Sequence, residues 1–138
     1  MDNNINLENL NKYMNCIDII YWINLERSSE RRKNMENILK NINIKNQRIN
    51  AIDGKMLSNN YIYDRLKGIN KTRSKKEYAC LLSHFDTIKI FSNSPYTNAL
   101  ILEDDISLEY TKYWNKSICD IIKNAPHDWE IIMLNYIY

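Results

Sequence analysis

The chain has 138 residues, 44% of them hydrophobic and 26% charged, with a formal net charge of +2. That length and apolar content suit one domain with a real core. The small charge excludes a strong field for nucleic acid or an anionic membrane, so no nucleic-acid partner is expected. Asn occurs 21 times and Ile 22 times, and Val is absent. This bias reads as A/T-rich coding, as in some bacteria, protists and large DNA viruses, and not as a prion-like tract.

Cys16, Cys80 and Cys119 are widely spaced, odd in number and form no CxxC pair. The pattern favours a reducing compartment and opposes a disulfide framework. The opening MDNNINLENLNKYMN is polar and acidic, unlike a signal peptide. No apolar run approaches the roughly 18 residues of a membrane span, so no transmembrane segment is expected. The expected location is the cytoplasm, a host's if the source is viral. Asn70-Lys71-Thr72 and Asn115-Lys116-Ser117 match the glycosylation sequon but carry no weight without a secretory signal.

Residues 1–15 read as a polar leader and residues 16–138 as the folded part. Ile17 to Asn24 is an unbroken apolar run, as in a strand buried on both faces. Ser28 or Ser29 caps a helix carrying Met35, Ile38, Leu39 and Ile42 at helical spacing. A short strand spans Gln47 to Ile52 and ends at the turn signal Asp53-Gly54. Residues 55–73 form a long loop with one helical turn near Tyr61 to Leu66. Tyr136-Ile137-Tyr138 is an apolar end.

Ser74-Lys75-Lys76-Glu77 is a capping box. It opens a helix whose stripe is Tyr78, Leu81, Leu82, Phe85 and Ile88, and Pro95 follows its end. Ala99 to Leu102 is a buried strand running into Glu103-Asp104-Asp105. A helix from about Glu109 to Lys123 and a strand from Trp129 to Leu134 complete a β-α-β-loop-α-β-α-β order. That order predicts an α/β fold with a largely parallel sheet.

Three adjacent carboxylates repel one another unless a hard cation or a helix start relieves them. Oxygen ligands suit Mg²⁺ or Mn²⁺, and the carboxyl end of a parallel strand is where α/β proteins bind ligands. Glu103 and Asp105 share one side if strand geometry persists. The plain alternative is a solvated acidic turn. Glu77, Cys80 and His84 line one strip of their helix; spacing alone favours a capping Glu77 and a half-buried His84 making one hydrogen bond. Arg27, Arg31 and Arg32 begin a helix, where arginine suits phosphate, although an ordinary solvated basic face has the same pattern. The run Lys71-Thr72-Arg73-Ser74-Lys75-Lys76 is a phosphate-attracting segment or a solvated loop.

In order, Ile23-Asn24-Leu25-Glu26-Arg27-Ser28 with Arg31 and Arg32, Ala51-Ile52-Asp53-Gly54, Glu77 to His84, Leu100 to Asp105, and Trp129 to Leu134 resemble the successive motifs of glycosyltransferase family 25. This family includes lipopolysaccharide-modifying and collagen-galactosyltransferase-like enzymes. The resemblance implies a GT-A-like (Rossmann-like) three-layer sandwich, incomplete at its C-terminus. It implies transfer of a hexose from UDP-galactose or UDP-glucose to an acceptor hydroxyl on a glycan or protein, aided by Mn²⁺ or Mg²⁺. Asp105 then ligates the metal, with Glu103 beside it. Glu103 and Asp104 reach the donor ribose or metal-bound water. Asn24, Arg27 and Asp53 surround the nucleotide, and Glu77, Ser83 and His84 lie near the donor sugar. Glu77, His84 and Asp104 form the implied catalytic set.

Ala79 stands where the family usually has Gly. Family members are also longer, and a further metal ligand and a catalytic base are expected from that part. A second polypeptide completing the fold is therefore an expected partner. The competing expectations are a truncated, inactive homologue that binds nucleotide sugar, or an interaction module using an exposed sheet edge.

Overall fold

The computed structural model describes residues 11–67, 73–108, 111 and 113–134. Its elements are β1 (Ile19–Asn24), α1 (Ser29–Leu39), β2 (Lys45–Asn50), α2 (Asn59–Arg65), α3 (Lys75–Ser92), β3 (Ala99–Glu103) and α4 (Ile118–Lys123). The three strands form one parallel sheet in the order β2-β1-β3. β1 is central and all six of its residues are buried, which explains its unbroken apolar run.

Side chains alternate across the sheet. Ile20 and Trp22 of β1 pack with Met35 and Leu39 of α1 and Ile118 of α4 on one face, joined by Leu100 and Leu102 of β3. Ile19, Tyr21 and Ile23 face the other way, against Ile49, Ala99, Ile101 and Phe91 of α3. Helices thus cover both faces of a parallel sheet, which is the Rossmann-like, three-layer arrangement of an α/β protein and is consistent with the GT-A-like fold. Met14, within the expected leader, is buried in the first cluster. A third cluster joins α2 to the start of α3 through Leu57, Ile62, Leu66, Tyr78, Ala79 and Leu82.

α3 begins with both halves of the expected capping box, Ser74 and Glu77 bonding reciprocally. Its buried face is rotated from the expected stripe. Tyr78 and Leu82 are buried, but Phe85 is exposed, and Ala79, Ser83 and Thr87 take the inner positions. The hydroxyls of Ser83 and Thr87 are satisfied within the helix: Ser83 Oγ donates to Ala79 O at 2.7 Å and Thr87 Oγ1 to Ser83 O at 2.8 Å. Small residues that return their polar atom to the backbone can be buried at little cost.

Three expectations are corrected. Residues 129–134 are irregular, with Ile131, Met133 and Leu134 exposed. A strand needs a ladder partner, and this segment pairs with none of the described strands. Of the helix expected from about Glu109 to Lys123, residues 109, 110 and 112 lie outside the described residues, 114–117 are not helical, and the α-helix is Ile118–Lys123, capped by Ser117 and Asp120. Cys16 and Cys119 form a disulfide across 103 residues, with Cα atoms 5.6 Å apart. The approach of the chain before β1 to α4 is a tertiary event that cysteine spacing does not reveal, so the expectation of no disulfide is the one corrected. Among the described residues, no helix is long and apolar enough to cross a membrane. Asn70, Lys71, Thr72 and Tyr136-Ile137-Tyr138 lie outside the described residues.

Candidate functional site

The strand order reverses at β1. The chain leaves β1 toward β2 on one side and returns as β3 on the other. Such a switch point opens a crevice at the carboxyl ends of the two strands, here Asn24 and Glu103.

Asn24 is buried, 1% exposed, and joins every element at that edge. Its Nδ2 donates to Asp104 Oδ2 at 2.7 Å and to Ser28 O at 3.2 Å. Its Oδ1 accepts from Arg48 Nε at 2.9 Å and from Arg32 Nε at 3.4 Å. Arg48 and Arg32 also clasp Glu26, at 2.8 and 3.0 Å. The hydrogen bonds from Arg48 and then Arg32 hold the Glu26 carboxyl below its ordinary range. Arg48 and Glu26 were not anticipated as site residues. The parallel register that sets Trp22 beside Arg48 is what brings that guanidinium to Asn24, and register is not visible in a single strand.

The acidic triplet makes two sets of contacts, one with Arg31 and one with α3. β3 ends at Glu103, so the strand alternation on which a shared side for Glu103 and Asp105 depends does not continue past it, and the two carboxylates take different partners. Asp104 is nearly buried and gives Oδ1 to Arg31 at 2.9 Å, its other oxygen being held by Asn24. Asp105 is exposed and reaches the same guanidinium at 3.4 Å. The hydrogen bond from Asp104 and the charges of both aspartates push the Arg31 pKa up.

Glu103 instead faces α3. Its Oε1 lies 3.3 Å from His84 Nε2 and 3.6 Å from Cys80 Sγ. Although the residue is exposed overall, partial desolvation of its sulfur, and then the Glu103 charge, pushes the Cys80 thiol up. Glu77, on the same strip of α3, is spent on the cap: Ser74 N and Oγ donate to it at 2.7 and 2.8 Å and hold its carboxyl low. It stands two turns, about 10 Å, from His84 along the helix. Ser83 is buried, and its Oγ accepts from Ile52 N at 2.9 Å, which ties α3 to the loop after β2.

That loop is pinned on all sides. Ala51 N donates to Asn24 O at 2.9 Å. Asp53 accepts from Lys55 N at 2.9 Å and pairs with Arg27 from the β1–α1 turn. Gly54 lies against the first turn of α3; a Cβ there would meet Lys75 O at 2.9 Å and Lys76 Cα at 3.0 Å. The glycine of the Ala51-Ile52-Asp53-Gly54 motif is thus a close-approach residue. Asn24 with Asp104, Arg27 with Asp53, and His84 with Glu103 are brought together, while Glu77 and Ser83 serve helix capping and packing.

The parallel sheet, with charged residues gathered at its topological switch point, defines a Rossmann-like α/β protein. A family model described as "Glycosyltransferase family 25 (LPS biosynthesis protein)" matches residues 17–137. The chain belongs to glycosyltransferase family 25. It is 31% identical over 118 residues to "Glycosyltransferase 25 family member" of Drosophila melanogaster, covering 79% of this chain and 19% of that protein. It is 30% identical over 127 residues to human "Procollagen galactosyltransferase 2", covering 85% and 20%. The Anopheles gambiae "Glycosyltransferase 25 family member" is 34% identical over 124 residues, covering 82% and 21%. The chain thus spans about one fifth of the length of these curated relatives. No solved structure gives a significant match.

The oxygen donors can be tested against a hard cation from their existing bonds. Asp104 fits poorly, since Asn24 and Arg31 each hold one of its oxygens. Asp105 and Glu103 fit better, with side chains 58% and 53% exposed.

Proposed function

We propose that this chain forms the donor-binding part of a hexosyltransferase that moves galactose or glucose from a nucleotide-diphosphate sugar to a hydroxyl of a glycan or protein. The observation that carries the reading is the acidic end of β3 facing Asn24 and Arg31 across the switch point. The printed name of the human relative favours galactose and a protein acceptor. Acceptor recognition is assigned to sequence that the relatives carry outside the matched fifth, in the same chain or in a second polypeptide.

Arg27 and Arg31, each about half exposed, are suited to bind the diphosphate. Asn24 and Asp53 orient them and the nucleotide through the turns they hold. Asp105 and Glu103 would hold Mn²⁺ or Mg²⁺, which would neutralise charge on the departing diphosphate. Asp104 keeps Arg31 aimed into the crevice. His84, hydrogen-bonded to Glu103, is assigned to the sugar-facing side, with Ser83 and Glu77 behind it as supports. The Cys16–Cys119 disulfide favours an oxidising compartment over the cytoplasm.

Calorimetric titration of UDP-galactose and UDP-glucose, with and without Mn²⁺, tests the reading. Metal-enhanced binding of at least one donor is expected, and Asp105→Ala is expected to remove the enhancement. Absence of binding by either donor overturns it. Binding without transfer to any acceptor supports a donor-binding module in place of a complete enzyme.

A further inference from the structure

We propose that Cys80, His84 and Glu103 form a site for a divalent transition metal of borderline softness, zinc foremost. Cys80 and His84 are one turn apart on α3, so both side chains leave the same strip of the helix. Glu103 closes β3 and points at that strip. The three ligating atoms all lie within 4.8 Å of one another. Glu103 Oε1 is 3.3 Å from His84 Nε2 and 3.6 Å from Cys80 Sγ. Donors on a tetrahedral zinc, with bonds of about 2.0 to 2.3 Å, stand about 3.3 to 3.8 Å apart. Two of the three separations therefore already match, and the third, between Cys80 and His84, is within 4.8 Å. The donors sit on a helix and a strand end, so the backbone need not move.

The chemistry of the set decides the metal. One thiolate, one imidazole and one carboxylate favour zinc over magnesium or manganese, which prefer oxygen. On binding, the Cys80 thiol gives its proton to solvent, and the thiolate and carboxylate charges balance the cation. Three protein ligands leave a fourth position open to water or a ligand oxygen, the pattern of reactive zinc sites. The site shares Glu103 with the oxygen site assigned to Asp105 and Glu103, but its other two donors, the Cys80 sulfur and the His84 ring nitrogen, come from α3 and not from Asp105, which pairs with Arg31. It goes beyond the donor reading, because metal capture is expected whether or not a nucleotide sugar binds.

The full chain with its Cys16–Cys119 disulfide intact has one free thiol, Cys80, which is exposed. Zinc is expected to protect Cys80 from alkylation, and equal concentrations of Mg²⁺ or Mn²⁺ are not. Co²⁺ is expected to give a thiolate-to-cobalt charge-transfer band that zinc abolishes. Cys80→Ser should remove the band and weaken zinc binding by roughly tenfold or more, as should His84→Gln. Asp105→Ala, which removes a nearby charge but none of the three donors, should leave the band in place and lower zinc affinity far less than Cys80→Ser. The proposal is overturned if zinc gives no protection and Co²⁺ no band. It is overturned equally if Mn²⁺ protects as well as zinc, or if zinc affinity falls with Asp105→Ala but not with Cys80→Ser. The protection assay uses the unaltered protein, so a variant that misfolds does not blunt the test.

Discussion

Asn24 Nδ2 lies 2.7 Å from Asp104 Oδ2, joining the carboxyl ends of β1 and β3 across 80 residues of chain. Both side chains are buried, and Asn24 at the same time holds Arg48 and the Ser28 carbonyl. Removing the amide leaves a buried carboxylate and a guanidinium short of partners, which costs far more than the net worth of the bonds. Asn24→Leu is expected to lower the unfolding free energy by about 2 to 4 kcal/mol. Asp104→Asn, which keeps shape and an acceptor, should cost about 1 kcal/mol, since Arg31 is largely exposed and its pairing is screened by water. Urea denaturation of the two variants checks the order. Equal losses would show that the buried network does not depend on Asn24.

Gly54→Ala tests the close approach of the loop after β2 to α3. The new methyl would meet backbone, Lys75 O at 2.9 Å and Lys76 Cα at 3.0 Å, which cannot swing aside as a side chain can. The loop or the helix start must shift, at a cost of about 1 to 3 kcal/mol. Because Ile52 and Asp53 are in that loop, donor binding is expected to weaken together with thermal stability. Asn93→Ala, at the far end of α3, should leave donor binding intact.

How much of this was legible in the sequence depends on whether the interaction is local. The Ser74–Glu77 capping box is a four-residue matter, and it stands as read. β1 is central, so its apolar run needed no knowledge of partners. Phe85 is exposed although apolar because volume decides the inner face of α3: Ala79 is buried by being small, and Ser83 and Thr87 by being small and returning their hydroxyls to the helix. Arg48 was invisible because only the β1–β2 register carries it to Asn24. The Cys16–Cys119 pairing and the unpaired state of residues 129–134 are likewise outcomes of which segments meet.

The disulfide closes a separation of 103 residues, so it constrains the unfolded chain strongly. Reduction, or Cys119→Ser, is expected to destabilise the protein by about 2 to 4 kcal/mol. Chemical denaturation with and without reductant reads the difference, and the Cys119→Ser protein should show no further response to reductant. An identical midpoint in both conditions would mean that the bond contributes nothing.

Acid should loosen the turn between β1 and α1. Arg48 and Arg32 hold the folded-state pKa of Glu26 below its ordinary value of 4.5. A carboxylate depressed on folding adds stability that is complete above the unfolded pKa and is lost as pH falls through the folded one. The denaturation midpoint is therefore expected to fall on acidification below that ordinary value. Glu26→Gln should remove part of the slope while Arg48 keeps its bond to Asn24. An unchanged slope in Glu26→Gln would assign the acid sensitivity to Asp18, Glu77 and Asp120, whose carboxyls are lowered mainly by hydrogen bonds.

Cys80 offers a pH readout of the opposite sign. Burial, followed by the Glu103 charge, raises its pKa from an ordinary 9.0, so at a given pH less thiolate is present in the folded protein than in the unfolded one. The thiolate is the nucleophile, so metal-free folded protein should be alkylated more slowly than urea-unfolded protein near neutral pH, with its rate rising only at higher pH. Glu103→Gln removes the charge but not the burial. It should move the rate profile part of the way back toward the unfolded chain. Complete recovery would mean that the carboxylate, not burial, governs the thiol. No recovery would mean that Glu103 does not act on Cys80 in solution, which would also remove the carboxylate from any ligand set built around that sulfur.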